Sequence, residues 1–181
     1  HEGLQLANGV IGSPRGTLIP EASGVVSRGR RAEACRRLSI THPFPEITGR
    51  VCPARGEGSC AAGQHAGPVA VRDIERTLAD HGLANNLVAT RPPKPTGKQV
   101  AIVGSGPSGL ACADALSRMG HAVTVFEQAD RPGGFLMYGI PNMKLEKDVV
   151  ENRVRMLEAQ GVQFKLNCCV GKDLAAAKLL E

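Results

Sequence analysis

The stretch that most constrains this chain is QVAIVGSGPSG, residues 99–109. A short run of β-branched and apolar residues breaks off into Gly104-Ser105-Gly106-Pro107-Ser108-Gly109, and an Ala/Leu-rich helical run follows as far as Gly120. The next apolar run, HAVTVFE, ends on Glu127, 18 positions beyond Gly109. A strand, a GxGxxG turn, a helix and a second strand ending in a carboxylate form the fingerprint of a dinucleotide site. Gly104 permits the tight turn, Gly106 leaves no Cβ in the way of a pyrophosphate, and Gly109 lets the helix lie close on the sheet. The N–H groups and positive dipole end of the helix face the phosphates. Glu127 can accept hydrogen bonds from the hydroxyls of an adenosine ribose. The plainer reading, a glycine turn joining a strand to a helix, does not account for the carboxylate.

The surrounding pattern predicts an α/β unit. LEKDVVENRVRMLEAQG places Val150, Val154 and Leu157 on one helical face, and VQFKLNCCV reads as a third strand. Strand–helix–strand order implies a parallel sheet with right-handed crossovers, its strands buried. Six residues past Glu127 lies Gly133-Gly134, preceded by Arg131. This E-x3-R-x-G-G string resembles the second fingerprint of flavoproteins that bind two dinucleotides, in which the first site holds FAD. The C-x4-C redox pair of their disulfide-reductase branch is absent, because FLMYGIPNMKL contains no cysteine.

Upstream the chain reads differently. Residues 1–23 are rich in Gly, Pro and small side chains. Residues 24–39 suggest a helix around Arg28, Arg30, Arg31, Arg36 and Arg37. Residues 40–68 look loop-like, and PVAVRDIERTLADHG places Val71, Ile74 and Leu78 at helical spacing, ending near Gly82. TRPPKPTG, residues 90–97, is a Pro-rich hinge. The resulting division is 1–90, a linker at 91–97, and 98–181.

Charge follows the same division. Residues 1–98 carry 13 Lys+Arg and 8 Asp+Glu, whereas residues 99–181 carry 9 of each. The net charge of +5 therefore belongs to the first part. Aromatic residues are only 3%, which argues against base-stacking recognition of nucleic acid, and the arginine cluster reads as a solvated helix face. No run approaches the roughly 20 apolar residues of a membrane helix. The chain opens without an initiator Met or a basic-then-apolar leader, so it reads as processed or as a fragment. Of six cysteines, Cys112, Cys168 and Cys169 sit in apolar runs and read as small buried hydrophobes, in keeping with a reducing compartment. Cys35 falls in the arginine-rich helical run. Cys52 and Cys60 lie in a Gly/Pro-rich loop instead.

PGGFLMYGIPNMKLEKDVV, with THPFPEITGRVCPARGEGSC and AIVGSGPSGLA, resembles the small (β) subunit of glutamate synthase and the corresponding C-terminal module of single-chain NADH-type enzymes. It is similar also to the N-terminal part of dihydropyrimidine dehydrogenase and to sulfide dehydrogenases. The resemblance extends from about Pro14 onward. It implies a mixed fold: an α-helical, ferredoxin-like iron–sulfur domain followed by part of a Rossmann-type FAD-binding domain. It implies electron flow from NAD(P)H through FAD and 4Fe–4S clusters to a large subunit that forms glutamate, with cytoplasmic location, or plastid for a plant-type enzyme. No nucleic-acid or membrane partner is implied.

Residue by residue, the resemblance places Gly104, Ser105, Gly106, Pro107, Ser108, Gly109, Glu127, Gln128, Arg131, Gly133, Gly134 and Phe135 at FAD-contacting positions. Lys144 corresponds to a basic residue near the flavin, and Val170 to a backbone contact. Cys52, Cys60 and Glu75 match cluster-ligand positions. The middle cysteine of the family's loop is Gly56 here, and the four upstream ligand positions fall on His1, Leu4, Gly9 and Ser13. Four thiolate-type ligands are needed for a 4Fe–4S cluster, and these residues do not supply them. The NAD(P)H domain of the family lies outside the 181 residues. Two rival readings are a related flavoprotein with a pyrimidine or sulfur acceptor, and a non-catalytic, cluster-free docking module.

Overall fold

A computed structural model describes residues 4–6, 9–11, 19–60, 67–85, 87 and 94–180. The chain divides into two compact units, 1–89 and 90–181. No helix among the described residues is long and apolar enough to cross a membrane.

In the first unit, β1 (Leu4–Leu6) and β2 (Gly9–Ile11) pair antiparallel. Among the described residues four α-helices follow: α1 (Ile19–Val26), α2 (Arg31–Thr41), α3 (Pro45–Val51) and α4 (Val71–Ala84). The single helix expected over 24–39 is two helices, because the chain turns at Ser27–Arg30 with Gly29 at φ +73°, a conformation that costs glycine little. α2 buries Ala34, Cys35 and Leu38 against Ala22, Val25 and Leu78, while Arg36 and Arg37 lie exposed on its outer side. Its arginines therefore do occupy a solvated face.

The loop expected over 40–68 contains α3, begun by Pro45 at its first position, where a missing N–H costs nothing. Phe44 and Ile47 are buried beneath it. Gly49 lets α3 press on α4, since a Cβ there would stand 2.8 Å from Cβ of Arg76. Arg50 then grips Asp80 on α4 through two hydrogen bonds of 2.9 and 3.1 Å.

The second unit is a three-stranded parallel sheet, β3 (Gln99–Val103), β4 (Ala122–Phe126) and β5 (Gln163–Lys165), in the order β3-β4-β5. Helix α5 (Pro107–Arg118) joins β3 to β4, and α6 (Phe135–Tyr138) and α7 (Lys147–Ala159) lie between β4 and β5. Each periodic segment of this half forms the element its pattern predicts. Val150, Val154 and Leu157 are buried as their spacing requires, with Val123, Val125, Leu110 and Ala113.

Three expectations need correction. β3 is not buried on both faces, for it is an edge strand among the described residues and Val103 is 61% exposed. β5 stops at Lys165, and Asn167 at φ +52° turns the chain out of the strand. Cys112 is exposed on α5, while Cys168 and Cys169 are half-buried and lie beyond the sheet. An Ala-rich helix tolerates a small thiol on either face, so composition did not fix its side.

Candidate dinucleotide site

The carboxyl ends of β3 and β4 set the site. Gly104 leaves β3 at φ +93°, with its N–H still bonded to the carbonyl of Phe126 at 2.7 Å. The chain then reverses and enters α5, whose first position is Pro107 and whose first backbone bond runs from Leu110 to Gly106 at 2.9 Å. The N–H groups of this first turn have no partner inside the helix and point out of its N-terminus.

Each glycine of the turn has a separate duty. A Cβ on Gly109 would stand 2.0 Å from the carbonyl oxygen of Gly104, so helix and turn approach closer than any side chain allows. A Cβ on Gly106 would meet nothing within 4 Å, and this residue has φ −61° and ψ 178°. Gly106 is thus spared a side chain neither by backbone strain nor by protein neighbours. The space beside it is what a pyrophosphate requires.

The second glycine pair is folded against the first. Gly133 (φ +123°) and Gly134 (φ +53°) both occupy the left-handed region, and a Cβ on Gly134 would stand 2.9 Å from Cα of Gly106. Ser105 ties these parts together. Its backbone N–H and its hydroxyl both donate to Oε2 of Glu127, at 2.8 and 2.6 Å. Its carbonyl and hydroxyl oxygens both accept from the N–H of Gly133, each at 3.1 Å. Ser105 is fully buried, so its hydroxyl acts from behind the turn and not as a surface a ligand touches.

Glu127 is 7% exposed and its other oxygen accepts from the N–H of Ala129 at 2.9 Å. Burial pushes this carboxyl up. Hydrogen bonds from the Ser105 hydroxyl and from the N–H groups of Ala129, Ser105 and Gln128 together outweigh burial and hold it below the ordinary carboxylate range. Each carboxylate oxygen has two acceptor positions, and the four donors fill them, so a ribose hydroxyl would share or displace one of these bonds. Stability then depends on pH with a definite sign. The contribution of Glu127 is complete above the ordinary glutamate value of about 4.3, and it is lost as pH falls through the depressed folded value. Thermal melting of Glu127→Gln from pH 6 downward should accordingly show a flatter acid limb than wild type; parallel limbs would contradict this role.

The remaining expected positions fall in two groups. Pro107, Ser108, Gln128 and Phe135 are exposed around the turn and the second glycine pair, with Phe135 at 79%. Arg131 is also exposed and faces Glu151 of α7 at 3.8 Å. Lys144 is exposed in the turn before α7, and Val170 forms an isolated bridge with Leu174. Neither is tied to the Ser105 centre by a hydrogen bond among the described residues. Sequence reasoning missed Lys147, whose ammonium donates to the carbonyls of Leu136 and Ile140 and so fastens the 135–140 turn to the start of α7. A lysine at the N-terminal end of a helix, where the dipole disfavours it, was the available signal. Tyr138 and Asp130 are also bonded across this turn.

The cluster positions in the first unit are not gathered. Among the described residues no three His, Cys, Asp or Glu side chains form a group that could hold a metal ion. The sulfur of Cys52 accepts from the N–H of Ala54 at 3.4 Å, and that of Cys60 from Val69 at 3.5 Å. Glu75 faces His42 instead, 3.5 Å from its Nε2. Of the upstream positions, Leu4 and Gly9 lie in the two short strands, and His1 and Ser13 lie outside the described residues.

Comparison with known proteins adds two family matches. Residues 7–87 match the family described as dihydropyrimidine dehydrogenase domain II, 4Fe-4S cluster. Residues 102–147 match the NAD(P)-binding Rossmann-like domain. The glutamate synthase (NADPH) small chain of Bacillus subtilis (strain 168) is 54% identical over 171 residues, covering 94% of this chain and 35% of that protein. The glutamate synthase (NADPH) small chain of Mycobacterium tuberculosis (strain H37Rv) is 47% identical over 169 residues, again covering 35% of its length. The glutamate synthase (NADH) of Saccharomyces cerevisiae is 44% identical over 93% of this chain and 8% of its own length. The chain thus spans about a third of the length of the small chains it matches.

Proposed function

We propose that this chain, a homologue of glutamate synthase small chains over nearly its whole length, is the FAD-holding part of an oxidoreductase. In this reading the intact protein draws reducing equivalents from NAD(P)H and delivers them to a glutamate-forming large chain. The observation that carries it is the convergence of both glycine fingerprints and Glu127 on the buried Ser105.

The residues present fit FAD. The space beside Gly106 and the first turn of α5 suit a pyrophosphate, and Glu127 suits the adenosine ribose. The pair Gly133-Gly134, pressed on Gly106, lets backbone approach the other half of a dinucleotide. This second contact is what supports FAD over a nicotinamide dinucleotide. When bound, the flavin supplies acceptance of a hydride and release of single electrons, chemistry that belongs to the cofactor.

The protein's share is positioning. The α5 N-terminus and its backbone N–H groups neutralise the diphosphate. Ser105 holds Glu127 as an ionised acceptor, so the ribose meets a fixed carboxylate. Lys147 fixes the turn that carries Phe135 and Tyr138 on the exposed side of the second fingerprint.

Titration calorimetry with FAD and with NADPH tests the reading. FAD is expected to bind at least about tenfold more tightly, a difference of about 1.4 kcal/mol. The opposite order would assign the site to a nicotinamide dinucleotide.

A further inference from the structure

We infer that the first unit of this chain holds no 4Fe–4S cluster, although the family it matches is described by one. The inference rests on the relationship to glutamate synthase small chains, and it stands apart from the FAD site.

All six cysteines of these 181 residues lie among the described residues, and none is in a disulfide. Cys112, Cys168 and Cys169 belong to the second unit. Cys35 is 3% exposed within the core formed with Ala34, Leu38 and Leu78, and its thiol donates to the carbonyl of Leu78 at 3.0 Å. Burial pushes this thiol up, against a smaller opposing effect of its backbone hydrogen bond and of Arg36, so it stays protonated. It is a packing residue, not a ligand.

Cys52 and Cys60 remain. Gly56 stands midway between them in the loop, and it offers no ligand atom from a side chain. Glu75, the ligand position that the resemblance implies on α4, is engaged by His42, which is itself buried and bonded to the hydroxyl of Thr48 at 2.9 Å. Two thiols without a gathered third ligand among the described residues do not meet the four-ligand requirement of a cluster.

The unit is also fastened by contacts that need no metal. Arg50 and Asp80 join α3 to α4. The carboxylate of Glu57 accepts from the N–H of Arg72 at 2.9 Å and so caps the start of α4 from the neighbouring 3₁₀ turn, Glu57–Ser59. A carboxylate on an unpaired N-terminal N–H satisfies a group the helix cannot, and it complements the dipole. With the apolar core of α1, α2 and α4, these clasps hold the cysteine loop in place. In this chain the first unit is held together by packing, hydrogen bonds and ion pairs and needs no cluster.

Anaerobic reconstitution of the chain with ferrous iron and sulfide decides the matter. Iron and acid-labile sulfide should stay well below one per chain, without the sulfide-to-iron charge-transfer band. The melting curve of the reconstituted chain should match that of the untreated chain and of the variant Cys52→Ser/Cys60→Ser. About four irons per chain, with the band, would overturn the inference. So would about two per chain in a dimer whose band is lost in the double variant, since two copies would then share one cluster. FAD titration of the same preparation reports on the FAD reading alone, so the two can fail separately.

Discussion

Gly109→Ala is expected to lower the melting temperature of the second unit by roughly 12–24 °C and to abolish dinucleotide binding with it. The new Cβ would stand 2.0 Å from the carbonyl oxygen of Gly104 and 3.0 Å from its carbon. Both atoms are backbone, so no rotamer change relieves the clash. Overpacking in a core costs about 1–3 kcal/mol when side chains can adjust. Here the turn itself must move, and about 3 kcal/mol or more is expected against a total stability of about 5–15. For a unit of this size each kcal/mol shifts the midpoint by roughly 4–8 °C. Differential scanning calorimetry is the measurement, and an unshifted midpoint would show that α5 does not lie against Gly104 as described.

Gly106→Glu should behave in the opposite way. Its backbone angles suit any residue, and its Cβ position meets no protein atom within 4 Å. Melting should therefore stay within about 0.5 kcal/mol of wild type, as for substitutions that disturb no packing. The side chain would instead occupy the space beside the α5 N-terminus and place a negative charge where the diphosphate belongs. Affinity for FAD should fall about a hundredfold or more, equivalent to about 2.8 kcal/mol. Two glycines three positions apart in one motif thus separate folding from binding.

The contrast also shows where sequence reasoning reached. In the second unit, period and turn chemistry agreed for β3, α5, β4 and α7, whereas β5 ended early at Lys165 and α6 arose in a stretch without a periodic signal. QVAIVG, HAVTVFE and the Val150/Val154/Leu157 face each formed what the pattern predicts, because a parallel strand–helix–strand unit leaves few alternatives. The candidate site's first tier was legible for the same reason, since GxGxxG and Glu127 are spaced by the geometry of that unit. Its second tier was not. Nothing in the spacing says that Ser105 turns inward to bond Glu127 and Gly133, nor that Gly134 lies on Gly106. These are tertiary contacts between segments 22 and 28 residues apart.

The first unit was harder. Gly29 split a continuous helical pattern, and Pro45 opened a helix inside a stretch read as loop. Both residues signal an interruption in sequence, and only packing decides whether a helix restarts beside it. Cys112 shows a related limit: on an Ala-rich helix a small apolar residue carries little information about which face it occupies. The cluster positions, in contrast, were decided by residue content. Gly56 and Ser13 stand where the resemblance implies thiols, and the contacts of Glu75 and Cys35 are consistent with that reading.

Flavin fluorescence on titrating FAD into wild type and Gly106→Glu tests most directly the claim that the two glycine fingerprints form one FAD site. Saturable quenching by wild type, absent at the same concentrations for a Gly106→Glu chain that melts normally, is the predicted result. Equal quenching by both chains would place the flavin elsewhere and contradict the site.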